Sequence, residues 1–202
     1  MIAISDFITS FSLAFPKQHN SLPWQITAGL EGIVLELISE LGSDFNVING
    51  VAIHKSAVIE KGVVLKGPAI IGANCFIGSN VCFRGGVFLD ALVKIGTGCE
   101  IKTSIILSNS AIAHFNFIGD SIIGNHVNFE AGSVTANHYN ERENKAISVL
   151  YKDSVIETGI NKFGALVGDH SRIGANAVLS PGTILPAKSI IKRLELVEQL
   201  PG

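Results

Sequence analysis

Between residues 51 and 191 the apolar positions recur every six residues. Ile53, Ile59, Leu65, Ile71, Ile77, Phe83, Leu89, Ile95, Ile101 and Leu107 follow one another at that step. Two places before an aliphatic sits a small or β-branched residue: Ala57, Val63, Ala69, Cys75, Val81, Val87, Val93 and Cys99. Gly, Asp or Glu often comes directly after it, as in Ile71-Gly72, Ile77-Gly78, Ile59-Glu60 and Leu89-Asp90. Neither a helical period of about 3.6 nor strict strand alternation produces this pattern. An internal repeat means a solenoid whose coils bury their core against their neighbours. Six residues supply one short strand and one turn, and three such units close a triangular coil of eighteen. The aliphatic points inward, the small residue fits the bend, and parallel strands of successive coils stack about 4.8 Å apart.

The frame then slips. Ala113, Ile118 and Ile123 are five apart, after which Phe129 and Thr135 restore six. The polar stretch from Asn137 to Ser148 has no repeat and carries Glu141, Arg142, Glu143 and Lys145. It predicts a loop ejected from the prism, the kind of segment that carries function; a tolerated insertion is the bland alternative. The frame resumes at Val167-Gly168, Ile173-Gly174, Leu179-Ser180 and Leu185. The first fifty residues read differently. Ser21-Leu22-Pro23-Trp24 is a helix start with Pro in the first turn. Leu30, Val34, Leu37, Ile38 and Leu41 form an apolar stripe against Glu31, Glu36 and Glu40, and Gly42 is a stop. A shorter helix is expected between Asp6 and Phe15, ended by Pro16. The expected organisation is a helical cap over residues 1–50, closing an end of the solenoid that would otherwise expose strand edges. A β-helix over 51–191 with an ejected loop at 137–148, and a short tail at 192–202, complete it.

Composition narrows the partners. Charged residues are 16% of the chain and the net charge is −2, so no broad basic surface predicts nucleic acid or an anionic membrane. No stretch reads as a membrane span, and the apolar residues Ile2, Phe7, Ile8 and Phe11 are interrupted by Asp6 with no basic segment before them. Neither membrane insertion nor a signal peptide is expected. Cys75, Cys82 and Cys99 lack metal-ligand spacing and read as small buried residues in a reducing compartment, which points to the cytoplasm.

Three sets of residues could carry chemistry. Arg84 and Lys102 are eighteen apart, one full coil, and each follows an inward aliphatic, so they should stack on one wall. With no acidic residue between them in that column, an anion such as phosphate would answer both; two solvated cations are the alternative. His114 lies where the frame slips and could take a proton at neutral pH, or be structural. Its register places it on a different wall from the two cations, so the three groups meet only near a prism edge or in a groove between subunits. His114, His126 and His138 are twelve apart, two thirds of a coil, so they do not stack and no bound metal is expected.

The run His114-Phe-Asn-Phe-Ile-Gly-Asp-Ser-Ile-Ile-Gly-Asn-His-Val-Asn128-Phe-Glu-Ala131-Gly-Ser-Val-Thr-Ala-Asn137 resembles the acetyltransferase domain of bifunctional bacterial enzymes that acetylate and then uridylylate glucosamine-1-phosphate. The likeness covers about residues 51–191. It implies a left-handed parallel β-helix, an all-β fold of hexapeptide repeats, assembled as a homotrimer with sites in the grooves between subunits. It implies acetyl-CoA as co-substrate and His114 as general base. It also assigns Arg84 and Lys102 to the sugar phosphate, Asn128 and Asn137 to the sugar, and Lys145 to a further phosphate contact. Ala131, Phe163 and Pro181 fall where acetyl-CoA lies along the coils. The implied reaction is acetyl transfer to the amine of glucosamine-1-phosphate or a related amino-sugar phosphate. Phe117 and His138 stand where the family has tyrosines, and Glu130 replaces a glycine beside the acyl-CoA groove. The likeness does not extend to the uridyltransferase domain, so acetyl transfer without uridylyl transfer is expected. These departures keep two alternatives open, an acyltransferase acting on a nucleotide-linked amino sugar and a non-catalytic regulatory or assembly subunit.

Overall fold

The structure is a computed structural model describing residues 2–200. The hexads wind into a three-walled parallel β-helix. Wall A carries strands Val51–His54, Ala69–Ile71, 87–89, 104–106, Ile122–Ile123, Ala165–Val167 and Thr183–Leu185. Wall B is the seven-stranded sheet from Val58–Ile59 to Ile190–Ile191. Wall C runs from Val64–Leu65 through 82–84, 100–102, Phe117–Gly119, Val134–Thr135 and Val178–Leu179 to Leu196–Val197. Strands Cys82–Leu89 and Glu100–Ile106 bend round the edge where wall C meets wall A and join the two sheets. The interior column alternates aliphatics with the small residues of each bend, and no buried side-chain nitrogen or oxygen among the described residues lacks a hydrogen-bond partner.

The frame slips earlier than the spacing alone indicates. Gly85 and Gly86 lie opposite the single residue Thr103, so the coil that follows is one residue short. Ile106, not Leu107, therefore points inward, and Leu107 joins an outer cluster. The inward residues after it are Ile112, Ile118 and Ile123 rather than a series beginning at Ala113. Thr103 and Asp120, both with φ of +46°, mark the two shortened corners, and both lie on the C–A edge.

The helices of the N-terminal segment cover a wall of the prism rather than its end. The outward residues of wall A are apolar in every coil: Ala52, Ile70, Phe88, Ile105, Ile122, Leu166 and Ile184. Helices α1 (Phe11–Ala14), α2 (Pro23–Ala28) and α3 (Leu30–Glu40) cover that wall, burying Phe11, Trp24, Ile26, Leu30 and Val34. Pro23 sits at the start of α2, and Gly29 separates α2 from α3, so the expected long helix is two. The Phe15 and Phe88 rings meet edge-on at 4.9 Å, and those of Trp24 and Phe163 at 6.0 Å. The Asp169 carboxylate accepts from the N–H and hydroxyl of Thr9, both at 3.0 Å, which ties the first residues to the coil. At the end of the prism, Phe45–Ile48 adds an antiparallel strand to Val51–His54.

The ejected segment is longer than the polar stretch. It leaves wall C after Thr135 and returns at Gly164-Ala165, with a hairpin of Ser148–Tyr151 and Ser154–Glu157 inside it. Tyr139, Ile147 and Val149 bury it against the same outer cluster as the helices. The coil also continues past Ile191, since Leu196–Val197 pairs with Val178–Leu179. Pro201 and Gly202 of the expected tail lie outside the described residues. No helix among the described residues is long and apolar enough to cross a membrane.

Candidate functional site

The C–A edge gathers charge. Arg84 and Lys102 pair in register on adjacent coils, as their spacing requires. They are not a bare pair of cations, however. Arg84 binds Glu100, with Nη2 2.5 Å and Nε 2.7 Å from Oε1. Lys102 Nζ lies 2.6 Å from Asp120 Oδ2, and these two side chains are only 14% and 8% exposed. Asn137 Nδ2 donates to the same Asp120 oxygen. Asp120 is eighteen residues beyond Lys102, so the arithmetic that stacks Arg84 on Lys102 also finds this acid. The Arg84–Glu100 pair is half exposed and contributes little to stability. The Lys102–Asp120 pair is enclosed and holds a charged pair in a fixed place.

A cleft of about 780 Å³ opens on this edge. Its floor is Gly85, Thr103 and Asp120, one side is the α2–α3 junction with Glu31, and the other is the returning chain with Asn161 and Lys162. Lys145, expected to reach a phosphate, is exposed on the ejected segment and does not line the cleft; Lys162 is the loop lysine that does. Reading 137–148 as the whole loop hid it, because the return to the prism falls further on.

The B–C edge holds the other candidates. His114 is exposed there, and the Gly132 N–H donates to its carbonyl at 2.9 Å, stacking His114 beneath Ala131. Asn176 N–H in turn donates to Ala131 O (3.0 Å), and Leu194 N–H to Ala175 O (2.9 Å). The edge therefore reads His114, Ala131, Ala175, Arg193 along the axis. Asn128 is exposed on wall B beside it. At its far end a second cleft of about 440 Å³ is lined by Asn128, Glu130, Arg172, Lys192 and Arg193 among others. Glu130 takes a bidentate bond from Arg193, 2.8 Å on each oxygen, and one from the Ala175 N–H at 2.9 Å. Arg193 first and Ala175 second hold the Glu130 carboxyl below the usual value.

Phe163 and Pro181 do not lie on that edge. Phe163 is wholly enclosed under Trp24, and Pro181 is buried with its carbonyl accepting from the Tyr139 hydroxyl at 2.9 Å. Neither offers a surface along which a ligand could lie. Their eighteen-residue spacing gave the stacking but not which side of the wall was covered. Among the cysteines, Cys75 and Cys99 are buried at bends, their thiols donating to the carbonyls of Asp90 and Ala113. Burial pushes the Cys75 thiol up to about 11 and raises that of Cys99. Cys82 differs, being half-buried on the outer face of wall C. No group of three or more potential metal ligands occurs among the described residues.

Hexads stacked on three walls, with a long excursion at one edge, define a hexapeptide-repeat protein of the left-handed parallel β-helix class. The chain belongs to the family described as the GMPPB C-terminal domain, whose profile matches residues 85–199, while the bacterial transferase hexapeptide repeat matches residues 50–85. It is 32% identical over 183 residues to the bifunctional protein GlmU of Methanococcus vannielii, covering 88% of this chain and 43% of that protein. It is 33% identical over 171 residues to the bifunctional sugar-1-phosphate nucleotidylyltransferase/acetyltransferase of Sulfurisphaera tokodaii, covering 82% and 42%. The chain thus spans about two fifths of the length of these relatives. A hexapeptide transferase family protein from Anaplasma phagocytophilum shares the fold, with a TM-score of 0.52 at 17% identity over 69% of this chain and 72% of that one.

Proposed function

We propose that this chain is an acetyl-CoA-dependent N-acetyltransferase acting on glucosamine-1-phosphate or a closely related amino-sugar phosphate, working as a cytoplasmic homotrimer. The observation that carries the proposal is the division of the candidate residues between two edges of one wall. Arg84, Lys102, Asp120, Asn137 and Lys162 are at the C–A edge, and His114, Asn128 and Ala131 are at or beside the B–C edge. Wall C lies between them, and its outer face presents Val64, Cys82, Phe117, Val134, Val178 and Leu196, with Glu100 tied to Arg84. A threefold ring closed through wall C sets the C–A edge of each subunit against the B–C edge of the next. That ring joins the half of one subunit's site that holds Lys102 and Lys162 to the His114 half of its neighbour's. The names of the relatives, a sugar-1-phosphate nucleotidylyltransferase/acetyltransferase among them, support the same substrate class.

In this reading Arg84, Lys102 and Lys162 hold the sugar phosphate, and Asn137 and Asn128 bond the sugar. Holding the anion fixes where the 2-amino group lies, which lowers the entropic part of the barrier. His114 removes a proton from the amine as its lone pair attacks the thioester carbonyl. The tetrahedral adduct collapses with cleavage of the C–S bond, and the coenzyme A thiolate takes a proton from the His114 imidazolium. Ala131 and Ala175 follow His114 along the edge as small residues, which suits an acyl arm laid beside them, and Arg172, Lys192 and Arg193 suit the phosphates of coenzyme A at its far end. The decisive experiment is thiol release from acetyl-CoA against a panel of amino-sugar phosphates and UDP-amino sugars. Release dependent on glucosamine-1-phosphate is expected; preference for a UDP-sugar would move the substrate assignment, and no release with any acceptor would remove the activity.

A further inference from the structure

We infer that Glu31, at the start of α3, selects among sugars by accepting hydrogen bonds from ring hydroxyls in the C–A cleft. The inference rests on the amino-sugar phosphate reading above and adds to it a residue from the segment that covers wall A. Three observations lead there.

The α2–α3 junction is built into the cleft. Gly85 and Gly86 have φ of +73° and +84°, and a side chain on Gly86 would come within 3.0 Å of the Glu31 nitrogen and 3.1 Å of its Cα. The two-glycine bulge thus lets the first turn of α3 approach the edge closely. The bulge is also where the register shifts between Arg84 and Val87, so the strand that carries Arg84 and the helix that carries Glu31 are fitted to each other. Second, the Glu31 carboxylate faces the floor. A Cβ on Gly85 would have Thr103 Oγ1 at 2.7 Å, Glu31 Oε1 at 3.8 Å and Lys102 Cγ at 3.9 Å as its nearest neighbours. The Glu31 carboxylate and the aliphatic stem of Lys102 therefore border the same part of the floor, while Lys102 Nζ is turned to Asp120.

Third, Glu31 is the carboxylate in this cleft left free to bind. Asp120 is engaged by Lys102 and Asn137. Among the described residues, no ion pair and no side-chain hydrogen bond involves Glu31. An ionised carboxylate only accepts, and sugar hydroxyls donate. Across the cleft Lys162 supplies the opposite charge. A ligand with an anionic phosphate at one end and hydroxyls at the other matches that arrangement; a purely apolar or purely anionic ligand does not. A charge at a helix N-terminus also stabilises the helix, so the test must read something that a stabilising role would not move.

The experiment compares wild type with Glu31→Gln and Glu31→Asp on glucosamine-1-phosphate and its 4-epimer, galactosamine-1-phosphate. Glu31→Gln replaces a charged acceptor by a neutral one, which should raise KM for the sugar by about tenfold, the worth of a hydrogen bond to a charged group. The KM for acetyl-CoA should hold steady, and the ratio of kcat/KM between the two epimers should fall toward unity. Glu31→Asp should recover part of that ratio. Equal epimer ratios in wild type and Glu31→Gln would overturn the inference, as would a KM change shared by sugar and acetyl-CoA. If wild type turns over neither sugar, the function proposed above fails. Calorimetry with glucosamine-1-phosphate then decides the role of Glu31 alone: tenfold weaker binding to Glu31→Gln supports it, and equal binding, or no binding to either protein, overturns it.

Discussion

Lys102 and Asp120 sit on successive coils and hold each other at 2.6 Å beneath the C–A cleft, with Asn137 bonded to the same carboxylate. Attraction between such enclosed charges is offset by the loss of their hydration, so the pair itself adds little net stability. Removing one partner is different, because the other is left charged, buried and unpaired. Asp120→Asn is expected to cost about 3 kcal/mol in urea unfolding. Adding Lys102→Met to that variant should restore at least half of the loss. A double variant no more stable than Asp120→Asn alone would mean that the contact is not what the single substitution broke.

The placement of Phe163 separates packing from ligand contact. Its ring lies edge-on to Trp24 inside the layer that fastens the helices to wall A. Phe163→Leu should lower stability by about 1–2 kcal/mol as the layer repacks. Because the ring faces away from the B–C edge, KM for acetyl-CoA should stay within twofold of wild type. A rise in that KM without a fall in stability would return Phe163 to a ligand-binding face.

Much of this architecture is legible in the hexads, and the parts that are not have physical reasons. The inward column depends only on residue spacing, so Ile53 through Ile101 read directly. Leu107 misleads because a one-residue deletion leaves an apolar residue both at the correct phase, Ile106, and at the old one, Leu107. The covered wall had its own signal. The residue preceding the inward aliphatic is apolar in every coil of wall A, from Ala52 to Ile184, whereas wall B has Lys94, Asn128 and Arg172 in that position and wall C has Glu100. Reading the hexads in threes would have pointed to a lateral cover rather than an end cap and narrowed the covered side to wall A or wall C, since wall C departs from the pattern only at Glu100. Lys162 stayed hidden because spacing cannot say where an ejected chain re-enters the prism.

The three thiols should report the same geometry. Burial holds Cys75 as a thiol, pushed up to about 11 from an ordinary 9.0, and raises Cys99 as well. Cys82 is half-buried on wall C. In the ring closed through wall C the Cys82 thiol faces the subunit interface, so at pH 8 it should react with a disulfide reagent only as the ring dissociates, and Cys82→Ser should abolish that phase; the other two should react only on unfolding. The sign of the pH effect follows from the raised value. The protonated Cys75 thiol favours the fold below pH 9, and that contribution is lost as pH rises from 9 towards 11. Cys75→Ala should flatten the alkaline limb of the stability curve. Prompt labelling of Cys75 at pH 8, or an unchanged alkaline limb, would contradict its burial at the bend.

His114 and Lys102 occupy opposite edges of wall C, which makes subunit mixing a direct test of a shared site. His114→Ala should abolish acetyl transfer while the oligomer survives in gel filtration, since the side chain is exposed and packs against nothing in the core. Lys102→Met should also be inactive if the phosphate of the acceptor needs its charge. Neither subunit alone can build a working site, but a ring containing both has interfaces where an intact His114 of one faces an intact Lys102 of the other. Random assembly from equal amounts makes about a quarter of the interfaces of that kind. Refolding the two inactive variants together should therefore regain about a quarter of wild-type turnover. No regain would place both residues in a site belonging to one subunit and would remove the ring closed through wall C.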